Sequence, residues 1–235
     1  MFFHIKMERT SDLSNMPPVD SIRKRIESVD TEEARFCLMA EYLLCARISE
    51  IVGITSPSDL GKTLARGPKG TEVKLDVFEL GPIREEAAIF TVYTAKRGGI
   101  ERKIAIPLNP VYEPWTRELY NYFVKHGNNR VFPFTRQKAY KYAQEAFEDL
   151  TYPIEPYRVG GDKVKRHFRK FRTHALRHAR ATELIEFYGF DHFDLCVYGG
   201  WTMKSAMGVG SLSRYAHLQW RKYFPKLLKE KPDFR

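Results

Sequence analysis

Apolar residues recur at two different periods along this chain, and the switches between them mark out its elements. After Pro17-Pro18, the spacing of Val19, Ile22 and Ile26 predicts a helix from about Val19 to Ser28. A second start follows at Asp30-Thr31-Glu32-Glu33, a capping residue with acids in the first turn. From there Phe36, Met39, Ala40, Leu43 and Leu44 keep helical spacing. That helix, or one closely following it, runs through Arg47–Val52 and stops at Gly53. Residues 55–70 are rich in Ser, Pro, Gly and Lys and read as a loop. The period then shortens to two. Thr71–Leu80 alternates Val73, Leu75 and Val77 with charged neighbours, while Ala88–Ala95 and Lys103–Leu108 flank a hairpin-like connection, Lys96–Glu101. About three antiparallel strands are expected.

Helical spacing returns over Pro114–His126 and Gln137–Leu150. A Tyr-, Pro- and Gly-rich connection, Tyr152–Gly161, leads to a basic helix at roughly Arg172–Tyr188 that ends at Gly189. A short helix near His192–Tyr198, a loop around Gly199–Gly210 and a C-terminal helix near Trp220–Glu230 complete the chain. The pattern predicts a mainly helical α+β fold with a small antiparallel β-sheet. Residues 1–18 read as an N-terminal arm and 19–235 as one domain. No internal repeat or long low-complexity tract interrupts it.

Composition changes this picture in one respect. A hydrophobic fraction of 43% is enough for a core, which excludes a wholly disordered chain. No apolar run reaches membrane-spanning length, and Lys6, Glu8 and Arg9 follow the N-terminus too soon for a secretion signal. A cytoplasmic protein with no membrane partner is expected. Cys37, Cys45 and Cys196 match neither a disulfide framework nor a metal-ligand spacing, so buried thiols and no metal are expected. The formal net charge, however, is +10. It concentrates between Lys163 and Arg180, where Lys163, Lys165, Arg166, Arg169, Lys170, Arg172, Arg177 and Arg180 stand with three histidines and no acid. A solvated face normally mixes signs, so this density points to phosphate contacts and a nucleic-acid partner.

Two pairs carry candidate chemistry. His174 and Arg177 lie three apart, so on a helix both project from one side. A cation beside a proton-transfer group suits a phosphate whose charge rises in the transition state, although a surface His and Arg often share this spacing with no function. Arg47 and Glu50 repeat the interval. The plain reading is a surface ion pair worth a few tenths of a kcal/mol. The functional reading is an arginine whose planar fork is aimed by its carboxylate at a phosphate.

Together these segments resemble the tyrosine recombinases, the phage integrase family. Ala46-Arg47-Ile48-Ser49-Glu50 resembles the family's first arginine box, and His174-Ala175-Leu176-Arg177-His178 its H-x-L-R-H box. Thr94-Ala95-Lys96 with Gly98-Gly99 and Glu101–Leu108 resembles the hairpin that carries the catalytic lysine. Tyr198-Gly199-Gly200-Trp201 is similar to the L-G-H or L-G-W box, and Arg214-Tyr215-Ala216-His217 to the closing Y-x-H. The five occur in family order across roughly residues 30–220.

The resemblance implies a tyrosine-recombinase catalytic domain that cleaves and rejoins DNA through a 3′-phosphotyrosine link. Tyr215 would be the nucleophile, Arg47 and Arg177 the phosphate clamp, Lys96 the general acid, His174 a proton-transfer aid, Trp201 a phosphate contact and Glu50 the orienting group. Lys163, Lys165, Arg166, Arg169, Lys170 and Arg172 would bind DNA. It also implies no cofactor or metal, double-stranded DNA as partner, a homotetramer on DNA, and association with nucleoid, viral or plasmid DNA. The connection from Trp201 to Tyr215 is longer than that family usually has, so Tyr198 and Tyr223 stay open as nucleophiles. Too few residues precede the first matching helix for the family's usual N-terminal DNA-binding domain, which is expected to be absent. A type IB topoisomerase-like relaxing enzyme and a non-catalytic DNA-binding module remain the alternatives. The segment Trp220–Leu228 reads either as a dock for a neighbouring subunit or as a core helix.

Overall fold

A computed structural model describes residues 16–53, 71–93, 101–126, 131–158, 164–201 and 220–231, with backbone alone for 153–158 and 164–167. Helix α1 (Val19–Glu27) buries Ile22 and Ile26 against α2 (Glu32–Leu43), whose residues from Phe36 to Leu43 are all buried. A helix buried all round lies at the centre of a fold. Accordingly α2 contacts α1, α3 (Ile48–Val52), α4 (Thr116–His126), α5 (Arg136–Ala146) and α6 (Thr173–Glu186).

The break between α2 and α3 has a definite cause. Cys45 N–H donates to the Tyr42 carbonyl (3.0 Å) and Ala46 N–H to the Glu41 carbonyl (3.3 Å), with Cys45 at φ 47°. This is the Schellman ending of a helix, with cysteine where glycine is usual. A left-handed residue with a Cβ costs roughly 1–2 kcal/mol. The turn re-aims the chain so that Arg47 is the residue before α3.

Strands β1 (Glu72–Leu80), β2 (Ile83–Tyr93) and β3 (Glu101–Pro107) form the antiparallel sheet in that order. The pairing runs from Glu72↔Thr91 to Leu80↔Ile83, and from Ala87↔Pro107 to Tyr93↔Glu101. Gly81, at φ 58°, makes the first turn. β2 therefore starts earlier than the sequence pattern indicated, because residues 83–86 are mostly exposed and carry no apolar alternation.

The larger difference lies ahead of α6. The expected connection Tyr152–Gly161 and the first half of the basic stretch form a second sheet, β4 (Thr151–Arg158) paired antiparallel with β5 (Val164–Lys170). Phe171 anchors its base: it is fully buried, 4.8 Å from the ring of Phe147, and its N–H donates to the Leu150 carbonyl at 2.8 Å. Helix α7 (His192–Gly199) starts with a reciprocal cap, Asp194 N–H to Asp191 (2.9 Å) and Asp191 N–H to Asp194 (3.2 Å).

The expected C-terminal helix is shorter than its pattern, a 3-10 turn (Trp220–Lys222) followed by α8 (Phe224–Leu227). Its apolar residues pack on this chain's own core. Phe224 lies 4.8 Å from Phe78, Tyr223 lies 5.3 Å from Tyr198, and the Tyr223 hydroxyl accepts the Ala105 N–H at 2.8 Å. Of the two readings of this segment, core helix is the one it adopts in this chain. The architecture is a mixed helical and sheet fold. Among the described residues no helix is long and apolar enough to cross a membrane.

Candidate functional site

Glu50 is the centre of the site. Its side chain is fully buried, and as the third residue of α3 it reaches back to cap the helix start, accepting the Arg47 N–H at 3.0 Å. Its other oxygen accepts Arg47 Nη1 at 2.7 Å. Thus the Arg47–Glu50 pair is not a surface pair on one helix face. The arginine precedes the helix with its side chain 28% exposed, and the carboxylate fixes it from inside. Arg102 Nη2 lies 3.5 Å and Arg177 Nη1 3.9 Å from the same carboxylate. Burial alone would raise the pKa of Glu50. The charge of Arg102 and the two hydrogen bonds from Arg47 outweigh it and hold the carboxyl below its ordinary value.

Arg177 arrives from α6 and is buried. Nη2 donates to the Gly199 carbonyl at 2.7 Å, and the guanidinium stacks 4.3 Å from the Trp201 ring. Nη1 is buried with no hydrogen-bond partner among the described residues. Burial lowers the pKa of Arg177, and the neighbouring Arg102 and Arg47 lower it further. Among the described residues, the guanidiniums of Arg47, Arg102 and Arg177 face the one ionised carboxylate of Glu50. Burial and the neighbouring Glu50 raise the pKa of the nearby Glu41. Among the described residues, this cluster of cations with a spare N–H is a candidate anion site.

His174 and His178 lie on α6 with their rings 4.6 Å apart, both exposed. Burial, Arg177 and Arg169 lower the pKa of His178, favouring its neutral form. Gly199 and Gly200 end α7, Gly200 in the left-handed region at φ 67°. A Cβ on Gly199 would sit 1.9 Å from the Trp201 ring. Gly199→Ala should therefore displace Trp201 from Arg177, costing about 1–3 kcal/mol of stability. A shift in Trp201 emission beside a lowered melting temperature checks it.

The structure thus brings together Arg47, Glu50, Arg177 and Trp201, which come from three separate segments of the sequence. Lys96, Lys163 and Tyr215 lie outside the described residues, as do the loop at 55–70 and most of the loop after Trp201. The side chains of Lys165 and Arg166 are likewise outside them. Arg169 and Lys170 are exposed on β5 beside Phe168, which is 66% exposed. Arg172 is half-buried and its Nη1 donates to the Phe171 carbonyl at 3.1 Å.

Arg180, counted above with the basic stretch, contacts no solvent. It sits in a second buried cluster with Arg23, Lys231, Glu113 and Glu183. Tyr198 and Tyr223 are also core residues. The Tyr198 hydroxyl donates to the Leu43 carbonyl at 2.5 Å, and burial pushes its pKa up to about 12. Both rings are buried. Cys37 and Cys45 are buried thiols and Cys196 is half-buried. Arg102 was not singled out from sequence. Its signal was the alternation Arg102, Ile104, Ile106, which puts a charge on the inward face of β3. No protein-family model matches this chain, and no curated protein or solved structure matches it either.

Proposed function

We propose that this chain is the catalytic domain of a tyrosine recombinase, a DNA strand transferase that cuts and rejoins double-stranded DNA with Tyr215 as nucleophile. The observation that carries this reading is the convergence of Arg47, Arg177 and Trp201 around one buried carboxylate, with Arg177 Nη1 making no hydrogen bond among the described residues. A phosphodiester supplies the negative charge that this group of cations lacks. Arg47, near the surface, and Arg177, beneath it, would bind its non-bridging oxygens and stabilise the charge that builds on them during attack.

The Tyr215 oxygen bonds to phosphorus and the bond to the 5′ oxygen breaks, leaving a 3′-phosphotyrosine and a 5′-hydroxyl. Lys96 would give that oxygen its proton, and His174 would assist proton transfer. The phosphotyrosine conserves the energy of the broken bond, so rejoining needs no nucleotide cofactor. The exposed cations Arg169 and Lys170 would contact the phosphate backbone of the duplex, a role proposed also for Lys163, Lys165, Arg166 and Arg172. Assembly as a tetramer on DNA belongs to the same proposal.

A library of nicked duplexes, randomised around the nick so that the released 5′ fragment diffuses away, tests it. The chain should form a detergent-resistant adduct that Tyr215→Phe abolishes and Tyr198→Phe and Tyr223→Phe, where they fold, retain. Absence of any adduct overturns the catalytic reading. An adduct that survives Tyr215→Phe reassigns the nucleophile. Relaxation of supercoiled DNA without joining of two sites would move the chain to the topoisomerase reading.

A further inference from the structure

We infer that Arg102 is the positioning residue that sets Arg47 and Arg177 in register with each other, a role that rests on the strand-transfer reading above. The two phosphate-facing arginines come from different parts of the fold and make no direct contact in the hydrogen-bond network. Arg47 is aimed by Glu50, at the start of α3. Arg177 is aimed by its hydrogen bond to the carbonyl of Gly199, at the end of α7, with Glu50 beyond hydrogen-bond reach at 3.9 Å. Two donors grip one phosphate productively only if these supports hold a constant separation.

Arg102 ties those supports together. From β3, its Nη2 lies 3.5 Å from Glu50 Oε2. Its Nη1 donates to the Tyr198 carbonyl, one residue before Gly199, and to the Leu44 carbonyl at 3.2 Å, in the turn that presents Arg47. One rigid guanidinium thus bridges the end of α2, the first turn of α3 and the end of α7. It is itself held by the sheet, where Arg102 pairs with Val92 of the central strand. It is 6% exposed and both of its terminal nitrogens are turned to protein acceptors, so it is not a phosphate ligand. A planar fork can meet acceptors on three elements at once, whereas the ammonium of lysine is a point charge that cannot span them.

Arg102→Lys keeps the charge and removes the bridge, and it is read in two ways. The indole N–H resonance of Trp201, which lies against Arg177, should shift or broaden. That of Trp115, hydrogen-bonded to Glu27 at 2.8 Å, serves as the internal reference and should stay. On the nicked-duplex library in excess, the adduct should form roughly 10–100-fold more slowly, the scale of a misplacement of about 1 Å, with half-saturation little changed. Arg102→Met, which also removes one of the cations around Glu50, should be slower still, with Arg102→Lys as its partial rescue. An unmoved Trp201 resonance in Arg102→Lys overturns the bracing role, as does a wild-type rate. Equal movement of Trp115 and Trp201 also overturns it, since that signals general loosening. If the unaltered chain forms no adduct, strand transfer fails instead, and the Trp201 resonance alone decides whether Arg102 braces the anion site.

Discussion

Replacing Arg177 with methionine should slow adduct formation by about 10²–10³-fold at saturating DNA, the usual loss when one preorganised oxyanion donor is removed. The effect should fall on the rate rather than on binding, because the many surface cations supply most of the affinity for the phosphate backbone. Stability should respond differently. Arg177 is buried, its Nη1 makes no hydrogen bond among the described residues, and its pKa is lowered first by burial and then by two like charges. Exchanging such a group for an apolar one of similar length is often neutral or better. Glu50 would keep Arg47 and Arg102. A residue that is indispensable to the rate yet nearly dispensable to the fold is one held for its ligand. Single-turnover adduct kinetics beside a thermal melt measures both. A melting temperature that collapses with the rate would make Arg177 a structural residue instead.

Glu183→Gln should have the opposite signature, destabilising the fold by about 3–5 kcal/mol, the cost of leaving buried charge uncompensated. Glu183 accepts hydrogen bonds from the Tyr42 hydroxyl (2.9 Å), Lys231 (2.7 Å), Arg23 (3.4 Å) and Arg180. Glu113 accepts from Arg23 (2.9 and 3.1 Å), Arg180 (3.1 Å) and Lys231 (2.9 Å). With both acids ionised, three cations meet two anions; with glutamine at 183 they meet one. Set against a typical domain stability of about 5–15 kcal/mol, that loss is severe. Lys231→Met should cost much less, since it leaves two cations facing two anions. Chemical denaturation of the two variants checks the ranking.

The same cluster predicts the acid limb of stability. Burial would raise both carboxyl pKa values, but Arg23, Arg180 and Lys231 outweigh it, taking Glu113 to about 2 and Glu183 well below its ordinary 4.5. A group whose folded pKa is depressed stabilises the fold above its unfolded pKa and loses that contribution as pH falls through the folded one. Stability should therefore decline from about pH 4.5 towards pH 2, more gently in Glu183→Gln, where one of the two titrating acids is gone.

Much of the fold was legible in the residues because local periodicity carried it. The apolar spacing of α1 and α2, the alternation of β1 and β3 and the glycine after α6 gave elements close to those observed. The misses have physical causes. The α2–α3 break lacked its usual glycine, since Cys45 takes the left-handed position. The β4–β5 pair was hidden because Pro153 and Pro156 in β4 read as breakers and β5 is mostly basic.

The site divides in the same way. Which residues are candidates for phosphate chemistry was readable from short segments, because a box such as Arg47–Glu50 or His174–Arg177 is defined by neighbours in the chain. Sequence by itself determined the helical and β periods, the concentration of positive charge and the identity of Arg47, Glu50, Arg177 and Trp201 as candidates. Only the tertiary structure decided that these four share one buried centre, that Arg180 balances acids instead of meeting solvent, and that Arg102 links the supports of both arginines. Burial and charge pairing depend on residues far apart in the chain: Arg102 lies 58 positions from Leu44 and 96 from Tyr198. No local pattern encodes a contact between residues so widely separated, and the guanidinium that joins them is distinguished in the sequence only by facing inward on a strand.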